Sequence, residues 1–423
     1  LRQTGSHGEA AEQEGTWYPC DTGERVLVHP FADAADVWEF SAREQCFAPR
    51  SLDAPFIRVS GFVFTRAANG IPMPQRGALS AGGNGRWIIE DCVFTDIHAV
   101  GLDLGRTGLQ PARSEGAPEG GHIVRRCRFA DLGVCGACGT GNVAGTLIED
   151  NVLTRIGGID LEHAYENAGL KFHVARSMLI RRNRIHDLHH ACGIWLDWNC
   201  GNSRVTGNLI HEVASLLAGI YIEANLDANR VDGNVVWGMR DVAGNDPPKD
   251  GFAGGNGISV DMCDHQQVDG NLVGDVTGNV ALACILAQGE RVVVGRTALG
   301  RGHRLEGNLV LAAPLRVHLA RPNHTVAAGN LYAATPGPGF VVEEARRLAR
   351  LDFAGWSGLL GCDATGAELP LEATCDAERR RLHLRLTRPC TARPPAPRLI
   401  PAEAWARLLA GESVEVTLEV GPR

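Results

Sequence analysis

The chain has 423 residues, 44% of them hydrophobic and 21% charged, and its 52 glycines indicate a globular protein with many tight turns. The formal net charge of −8 and the pI near 6.0 argue against a nucleic-acid binder, which usually carries a basic surface. No apolar run reaches the about 18 residues that a membrane span needs, so we expect neither nucleic acid nor a membrane among the partners.

Residues 1–55 contain no repeat, and we interpret them as an irregular N-terminal segment that leads into the first repeats. The chain begins at Leu1 without a methionine or a signal peptide, as a mature or trimmed product would, so its start carries no information about secretion.

The Cys135 and Cys138 pair lacks a second ligand pair at zinc-site spacing. We therefore expect no bound metal.

A short motif recurs between residues 89 and 332: an apolar residue, two polar residues, asparagine and two apolar residues. Successive copies lie 22 to 37 residues apart, and the short gaps cluster at 22 to 26. A unit of this length with two or three short strands is one rung of a β-solenoid. The asparagine position is occupied in turn by Cys92, Cys127, Asn151, Asn183, Asn208, Asn234, Asn271, Asn308 and Asn330.

The repeat predicts an all-β chain, a right-handed parallel β-helix over residues 56–340 with at least seven rungs. We expect the asparagines to stack in one corner, where their amides bind one another along the solenoid. Residues 341–423 change in character and predict a cap with a small appendage. This part contains a helix-like stretch at 343–351, a proline-rich linker at 389–401, a short helix at 401–409 and a final strand at 413–420.

A second motif lies between the asparagines and reads glycine, apolar, variable, apolar, polar. It occurs at 169–173, 193–197, 219–223 and 257–261. Because strand side chains alternate between faces, each copy sends two apolar side chains inward and two others outward. The expected inward set is Leu170, Phe172, Ile194, Leu196, Ile220, Ile222, Ile258 and Val260. The expected outward set is Lys171, His173, Trp195, Asp197, Tyr221, Glu223, Ser259 and Asp261.

Stacking the rungs places Asp197, Glu223 and Asp261 in one exposed column, with Trp195 and Tyr221 in the column beside it. Adjacent carboxylates repel one another, which gains nothing for the fold. Clustered carboxylates can, however, differ in pKa and carry out acid–base chemistry on a sugar, and exposed aromatic rings stack on sugars. The pattern thus predicts a carbohydrate site on this face.

The blocks ENAGLKFH from Glu166 to His173, GIWLDW from Gly193 to Trp198, and the following IEAN resemble the β-helix enzymes around glycoside hydrolase family 141. The similarity covers roughly residues 15 to 365. It implies hydrolysis of glycosidic bonds in plant or microbial polysaccharides. Relatives commonly continue the Glu223 rung with Glu-Val-x-His-Gly-Pro, whereas this chain has Glu-Ala-Asn-Leu-Asp, so the sugar is left open.

We expect Asp197, Glu223 and Asp261 to be the catalytic carboxylates. The expected substrate-binding residues are Lys171, His173, Trp195, Trp198, Tyr221 and Glu166. Adjacent rungs would bring Asp197 and Glu223 about 5–6 Å apart, as in retaining glycosidases. Asp197 and Asp261 would be about 9.6 Å apart, near the inverting range. The flanking tryptophans are expected to raise the pKa of Asp197, which makes it the general acid and Glu223 the nucleophile, or Asp261 the base.

Two alternatives to a hydrolase stay open from the residues alone. A polysaccharide lyase or uronate epimerase would need a base and often Ca²⁺, whereas the hydrolase needs no cofactor. A non-catalytic carbohydrate-binding solenoid would need no carboxylate pair.

We expect an extracellular or periplasmic location, with a cytoplasmic one as the alternative, and the oligomeric state is not predicted. The Gly- and Pro-rich stretch 238–255 is expected to form one wall of the groove over Trp195, Tyr221 and Glu223.

Overall fold

The computed structural model describes residues 2–4, 6–20, 25–32, 41–50, 54–70, 76–105, 120–158, 166–242, 254–344 and 347–422. Three long parallel sheets of 10, 11 and 11 strands wind about one axis as a right-handed parallel β-helix. Each rung contributes one strand to each sheet, and the described residues form ten such rungs. The predicted fold class and the minimum of seven rungs are confirmed.

The sheets are named here in the order in which a rung meets them. Sheet I consists of Arg58–Ser60, Ile88–Glu90, Ile123–Arg125, Leu147–Glu149, Leu179–Arg181, Arg204–Thr206, Arg230–Asp232, Gln267–Asp269, His303–Glu306 and Thr325–Ala328. Sheet II consists of Val63–Thr65, Val93–Ile97, Arg128–Leu132, Val152–Ile156, Arg184–His189, Leu209–Ala214, Val235–Arg240, Leu272–Val276, Leu309–Leu311, Leu331–Ala333 and Ala367–Leu369. Sheet III consists of Gly77–Ser80, Val100–Asp103, Cys135–Thr140, Ala168–His173, Cys192–Asp197, Ala218–Glu223, Asn256–Asp261, Val280–Ile285, Leu315–Leu319, Phe340–Glu344 and the antiparallel Arg347–Leu351.

The corner between sheets I and II explains the first motif. The residue before the asparagine has a left-handed backbone, with φ of 53° at Arg182 and 64° at Gly207, which is why glycine takes this position in the later copies. Asn183 then donates from its backbone N–H and from Nδ2 to Oδ1 of Asn208, both at 3.0 Å. The same pattern runs from Asn151 to Asn330, so the predicted asparagine ladder is confirmed.

The ladder ends on a buried carboxylate. Asp363 Oδ1 accepts from the backbone N–H and Nδ2 of Asn330, while its Oδ2 accepts from Tyr332 Oη at 2.7 Å and Trp356 Nε1 at 3.0 Å. Trp356 belongs to the helix Phe353–Leu360 and packs into the main core. This helix therefore covers the end of the solenoid.

The glycine of the second motif is required by close packing between rungs. A Cβ on Gly193 would lie 2.5 Å from the carbonyl oxygen of Gly219, and one on Gly169 would lie 2.7 Å from that of Gly193. The apolar positions after it point into the core as expected, since all eight predicted inward residues belong to one buried cluster. Each copy of the second motif thus lies wholly within one strand of sheet III.

The C-terminal residues differ from expectation at one point. The helix predicted over 343–351 is wrong: Arg347–Leu351 is a strand that pairs antiparallel with Phe340–Glu344 and extends sheet III. The helix Ala402–Leu409 and the strand Val414–Thr417 form as predicted. With Leu371–Asp376 and Arg381–Leu386 they make a small unit whose apolar side chains pack on the outer side of sheet II, at Leu209, Leu272 and their neighbours.

The remaining described elements are short. They are the strands Arg2–Gln3, Thr16–Cys20 and Arg25–His29, the helix His7–Glu12, the hairpin strands Arg291–Val293 and Arg296–Ala298, and the 3₁₀ helix Pro322–His324. None of the helices in the described ranges has the length and apolar character to cross a membrane.

Candidate active site

The residues singled out by the second motif lie side by side on the outer face of sheet III. His173 pairs in register with Asp197, Trp195 with Tyr221, and Glu223 with Asp261. Asp197, Glu223 and Asp261, called the carboxylate row below, therefore follow one another on consecutive rungs. The predicted register is confirmed.

The expectation that this row is exposed is wrong. Each member of the carboxylate row is at most 9% exposed, and Lys171, Trp195 and Tyr221 are at most 4% exposed. The outward aromatic rings pack with Cys135, Cys138, Cys192 and small residues in a second apolar cluster outside the solenoid core. The carboxylates are consequently held in a poorly solvated environment, where their mutual interactions are strong.

Lys171 is a cation on the preceding rung whose side chain contacts the carboxylate row. Its Nζ lies 3.1 Å from Glu166 Oε1, 3.2 Å from Asp197 Oδ2 and 3.1 Å from the ring centroid of Trp195. Burial disfavours the charged form of Lys171, but the charges of Asp197 and Glu166 outweigh this effect and raise the pKa of Lys171. Lys171 thus stays positively charged and is shared by two carboxylates.

Asp197 is held in its ionised form. Burial would raise the pKa of Asp197, yet Lys171 and His173 together lower it far below its ordinary value. His173 Nε2 lies 3.0 Å from Asp197 Oδ2, and its Nδ1 lies 3.4 Å from Thr140 Oγ1. The expected rise in the pKa of Asp197 is wrong, because Trp195 packs on the Lys171 ammonium, which stays within reach of Asp197.

Glu223 behaves in the opposite way. Burial, and then the negative charge of Asp197, raise the pKa of Glu223 to about 8, although Arg291 opposes the rise. Arg291 Nη1 lies 2.5 Å from Glu223 Oε1, and the Arg291 guanidinium lies 5.0 Å from the ring centroid of Trp198. The pKa of Glu223 is thus raised even with the Arg291 guanidinium beside its carboxyl group.

Asp261 is fixed by two donors. Tyr221 Oη donates to Asp261 Oδ2 at 2.9 Å, and the backbone N–H of Ala287 donates to Oδ1 at 3.0 Å. Burial raises the pKa of Asp261 to about 6, against these two hydrogen bonds. Both oxygens are thus engaged in contacts that hold the side chain in place.

Trp195, Tyr221 and Ser259 form the outward column beside the carboxylate row. Two polar atoms of this column have no hydrogen-bond partner among the described residues. They are Trp195 Nε1 and Ser259 Oγ, and both are buried. A buried donor without a partner is unfavourable, by about 1–3 kcal/mol for a typical polar group.

The predicted groove wall at 238–255 lies largely outside the described residues, since 243–253 are not described. Gly238 itself belongs to the strand Val235–Arg240, so the loop starts later than expected. The hairpin Arg291–Val293 and Arg296–Ala298, which also borders this site, was not predicted from the sequence. The 37-residue gap between Asn271 and Asn308, with a Val-Gly turn between two short runs rich in valine and threonine, was the available signal.

One group of three potential metal ligands occurs among the described residues, away from this site: His186, His211 and Glu378. The Arg184 guanidinium donates from Nε to His211 Nε2 at 3.2 Å and forms an ion pair with Glu378. The Arg184 guanidinium thus already occupies this group, and the group joins the C-terminal unit to sheet II. We therefore interpret it as a structural contact.

The family model described as "Right handed beta helix region" matches residues 77–273. No curated protein matches the chain. Among solved structures, "The complex structure of XylC with xylose" is similar at 18% identity and a TM-score of 0.57, over 88% of this chain and 63% of that chain.

Two further solved structures are more distant. A "Glycoside hydrolase" matches at 17% identity and a TM-score of 0.45, over 70% of this chain and 56% of that chain. The "Azotobacter vinelandii Mannuronan C-5 epimerase AlgE4 A-module" matches at 11% identity and a TM-score of 0.32, over 68% of this chain and 75% of that chain. The chain thus spans less than two thirds of the first two structures, and the likenesses concern its fold, a right-handed parallel β-helix.

Proposed function

We propose that this chain is a glycoside hydrolase that acts on a neutral sugar of a plant or microbial oligosaccharide or polysaccharide. The observation that carries the proposal is the contrast between Asp197 and Glu223. They occupy equivalent positions on adjacent rungs, yet the pKa of Asp197 is lowered and that of Glu223 is raised to about 8. Two carboxyl groups with opposite protonation at neutral pH are what glycoside hydrolysis requires.

The assignment of roles follows from these protonation states and reverses the expectation from sequence. In the first half-reaction the ionised Asp197 attacks the anomeric carbon, while Glu223 donates its proton to the leaving oxygen. In the second, the Glu223 carboxylate takes a proton from water, and the water oxygen displaces Asp197 from the sugar. Lys171 and His173 keep Asp197 ionised between turnovers.

The rung spacing supports a retaining reaction. Backbones on adjacent rungs are about 4.8 Å apart, which suits the about 5–5.5 Å between carboxyls in retaining enzymes. Asp261 is two rungs from Asp197, and both of its oxygens accept hydrogen bonds from Tyr221 and Ala287. We therefore assign Asp261 to positioning Tyr221, and the half-buried Trp198 to contact with the sugar, since Trp195 and Tyr221 are packed too deeply for a sugar to reach.

A lyase or epimerase is less well supported, because an anionic uronate needs a cation that is free to bind it. Both cations that contact the carboxylate row within the described ranges are already paired: Lys171 with Glu166 and Asp197, and Arg291 with Glu223. A uronate would add a further negative charge to this group. A neutral sugar avoids this repulsion.

The test is a screen of the purified chain on aryl glycosides of neutral sugars, with aryl xylosides included, and on plant polysaccharides, with and without EDTA. We expect sugar release that EDTA does not reduce. Formation of unsaturated uronates, detected by ultraviolet absorbance, would instead indicate a lyase. Saccharide binding without product release would support the non-catalytic solenoid. Because such substrates occur outside the cell, we propose an extracellular or periplasmic location.

A further inference from the structure

The hairpin 291–298 is fastened to the turns that follow the Glu223 and Asp261 strands. Val293 and Ala298 pack on Ala224 and Leu226. Arg296 Nη2 lies 3.0 Å from Asp227 Oδ1. Further along the chain, the backbone N–H groups of residues 299 and 301 donate to one carboxylate oxygen of residue 264. The hairpin is therefore held in place even without its contact to Glu223.

Arg291 is the residue of this hairpin that reaches the carboxylate row. Its side chain is 35% exposed, whereas that of Glu223 is 12% exposed. The guanidinium thus extends from solvent over Trp198 to Glu223 Oε1, at 2.5 Å. An arginine in this position binds the ionised carboxylate strongly and the protonated carboxyl weakly.

This pairing has opposite effects in the two halves of the proposed reaction. In the first half Glu223 must hold a proton, which a guanidinium on Oε1 disfavours. After the proton has moved to the leaving oxygen, Glu223 carries a negative charge next to Asp261, while Asp197 is neutral as the ester of the sugar. A guanidinium on Oε1 then stabilises that charge until Glu223 removes a proton from water.

We propose that Arg291 is a positioning residue for the acid/base Glu223, withdrawing from it when the sugar binds and pairing with it between the two half-reactions. This inference rests on the proposed hydrolase function. Withdrawal needs only a side-chain rotation, because the hairpin keeps its other anchors. In the paired position the guanidinium already lies 5.0 Å from the ring centroid of Trp198, a contact that does not depend on the charge of Glu223.

The experiment compares Arg291→Ala with Arg296→Ala, a matched change of an arginine–carboxylate pair on the same hairpin. The ionisation of Glu223 is followed directly by infrared difference spectroscopy against Glu223→Gln, which requires no turnover. We expect Arg291→Ala to move the titration of Glu223 upward by about one pH unit or more. Arg296→Ala should leave it in place, and Arg291→Lys should restore part of the wild-type value.

Activity provides the second readout. In Arg291→Ala the alkaline limb of kcat/KM should move upward with the titration, and hydrolysis of the glycosyl-enzyme should become slower than its formation. An unchanged titration, or an equal shift in Arg296→Ala, overturns the proposal. A shifted titration with an unchanged ratio of the two half-reactions also overturns it. A shift specific to Arg291→Ala in a chain that hydrolyses no glycoside would reject the hydrolase while keeping the Arg291–Glu223 coupling.

Discussion

Sheets I and III both carry ladders of acidic side chains on their outer faces, but the two ladders differ in how they are neutralised. On sheet I, Glu90 contacts three arginines, Arg58, Arg125 and Arg126. Its hydrogen bond from Arg125 lowers the pKa of Glu90 despite burial of the carboxylate. The arginines are 35–66% exposed and can rearrange in solvent.

On sheet III the described carboxylates have fewer cations, and Lys171 is itself buried. One buried lysine serves both Glu166 and Asp197, and the next two carboxyl groups along the row, Glu223 and Asp261, have raised pKa values of about 8 and 6. The comparison shows that acidic repeat positions alone do not indicate chemistry. The number of cations for each carboxylate decides whether the pKa values along a ladder are lowered together or differ from one carboxyl group to the next.

The largest expected effect is on turnover, and it should occur for a carboxylate of sheet III but not for one of sheet I. Asp197→Asn removes the ionised carboxylate and should lower kcat by about 10⁴-fold while circular dichroism shows an intact fold. The matched control is Glu149→Gln on sheet I, where Arg181 and Arg182 neutralise the carboxylate. Its turnover should equal that of the wild type. Comparable losses in both variants would show that the site acts through the fold as a whole.

A second effect concerns stability and involves neither acidic ladder. Asn208→Ala leaves the backbone N–H of Asn183 without an acceptor, while Nδ2 of Asn183 keeps the carbonyl oxygens of Ile148 and Arg181. A buried polar group without a partner costs about 1–3 kcal/mol, so the free energy of unfolding should fall by about 2 kcal/mol. Urea denaturation measures this change. A neutral result would mean that the ladder contributes little once the rungs are stacked.

The pH dependence of stability tests the mixed protonation directly. Because the pKa of Glu223 in the folded chain is raised to about 8, the folded state binds a proton that the unfolded state has lost above its ordinary value of 4.5. The contribution of Glu223 is therefore fully present below about pH 4.5 and is lost as the pH rises towards 8. Relative to wild type, Glu223→Gln should become progressively more stable between these values. A constant difference would contradict the raised pKa.

The smallest expected effect lies on sheet I. Glu90→Gln removes a carboxylate whose arginine partners remain solvated, so the loss in unfolding free energy should be on the order of 1 kcal/mol. Thermal unfolding at low and high salt measures it. A loss as large as that of Asn208→Ala would show that the sheet I ladder is a major support of the solenoid.

The fold could be predicted from the sequence because the repeat follows from the backbone geometry of each rung. The residue before each asparagine must be left-handed, and the asparagine must bind its neighbours, so both leave a regular pattern. The register of Asp197, Glu223 and Asp261 followed from the same pattern. The strand Arg347–Leu351 was mistaken for a helix because its Arg and Leu residues suit either structure, and pairing with Phe340–Glu344 decides between them.

The environment of the site was not predictable from the repeat. Burial of the row, the Lys171–Asp197 contact and the lowered pKa of Asp197 depend on distances between side chains from separate rungs. Arg291 reaches Glu223 from an insertion 68 residues further along the chain. An insertion can be recognised from a long gap between repeats, but the side chain that it delivers to the site cannot.

In the proposed reaction Asp197 attacks the sugar while Glu223, on the next rung, supplies and recovers the proton. The decisive measurement is the anomer of the first-formed product, observed by proton NMR before mutarotation. We expect a product with the same anomeric configuration as the substrate. An inverted product would contradict it and would transfer the role of the base to Asp261.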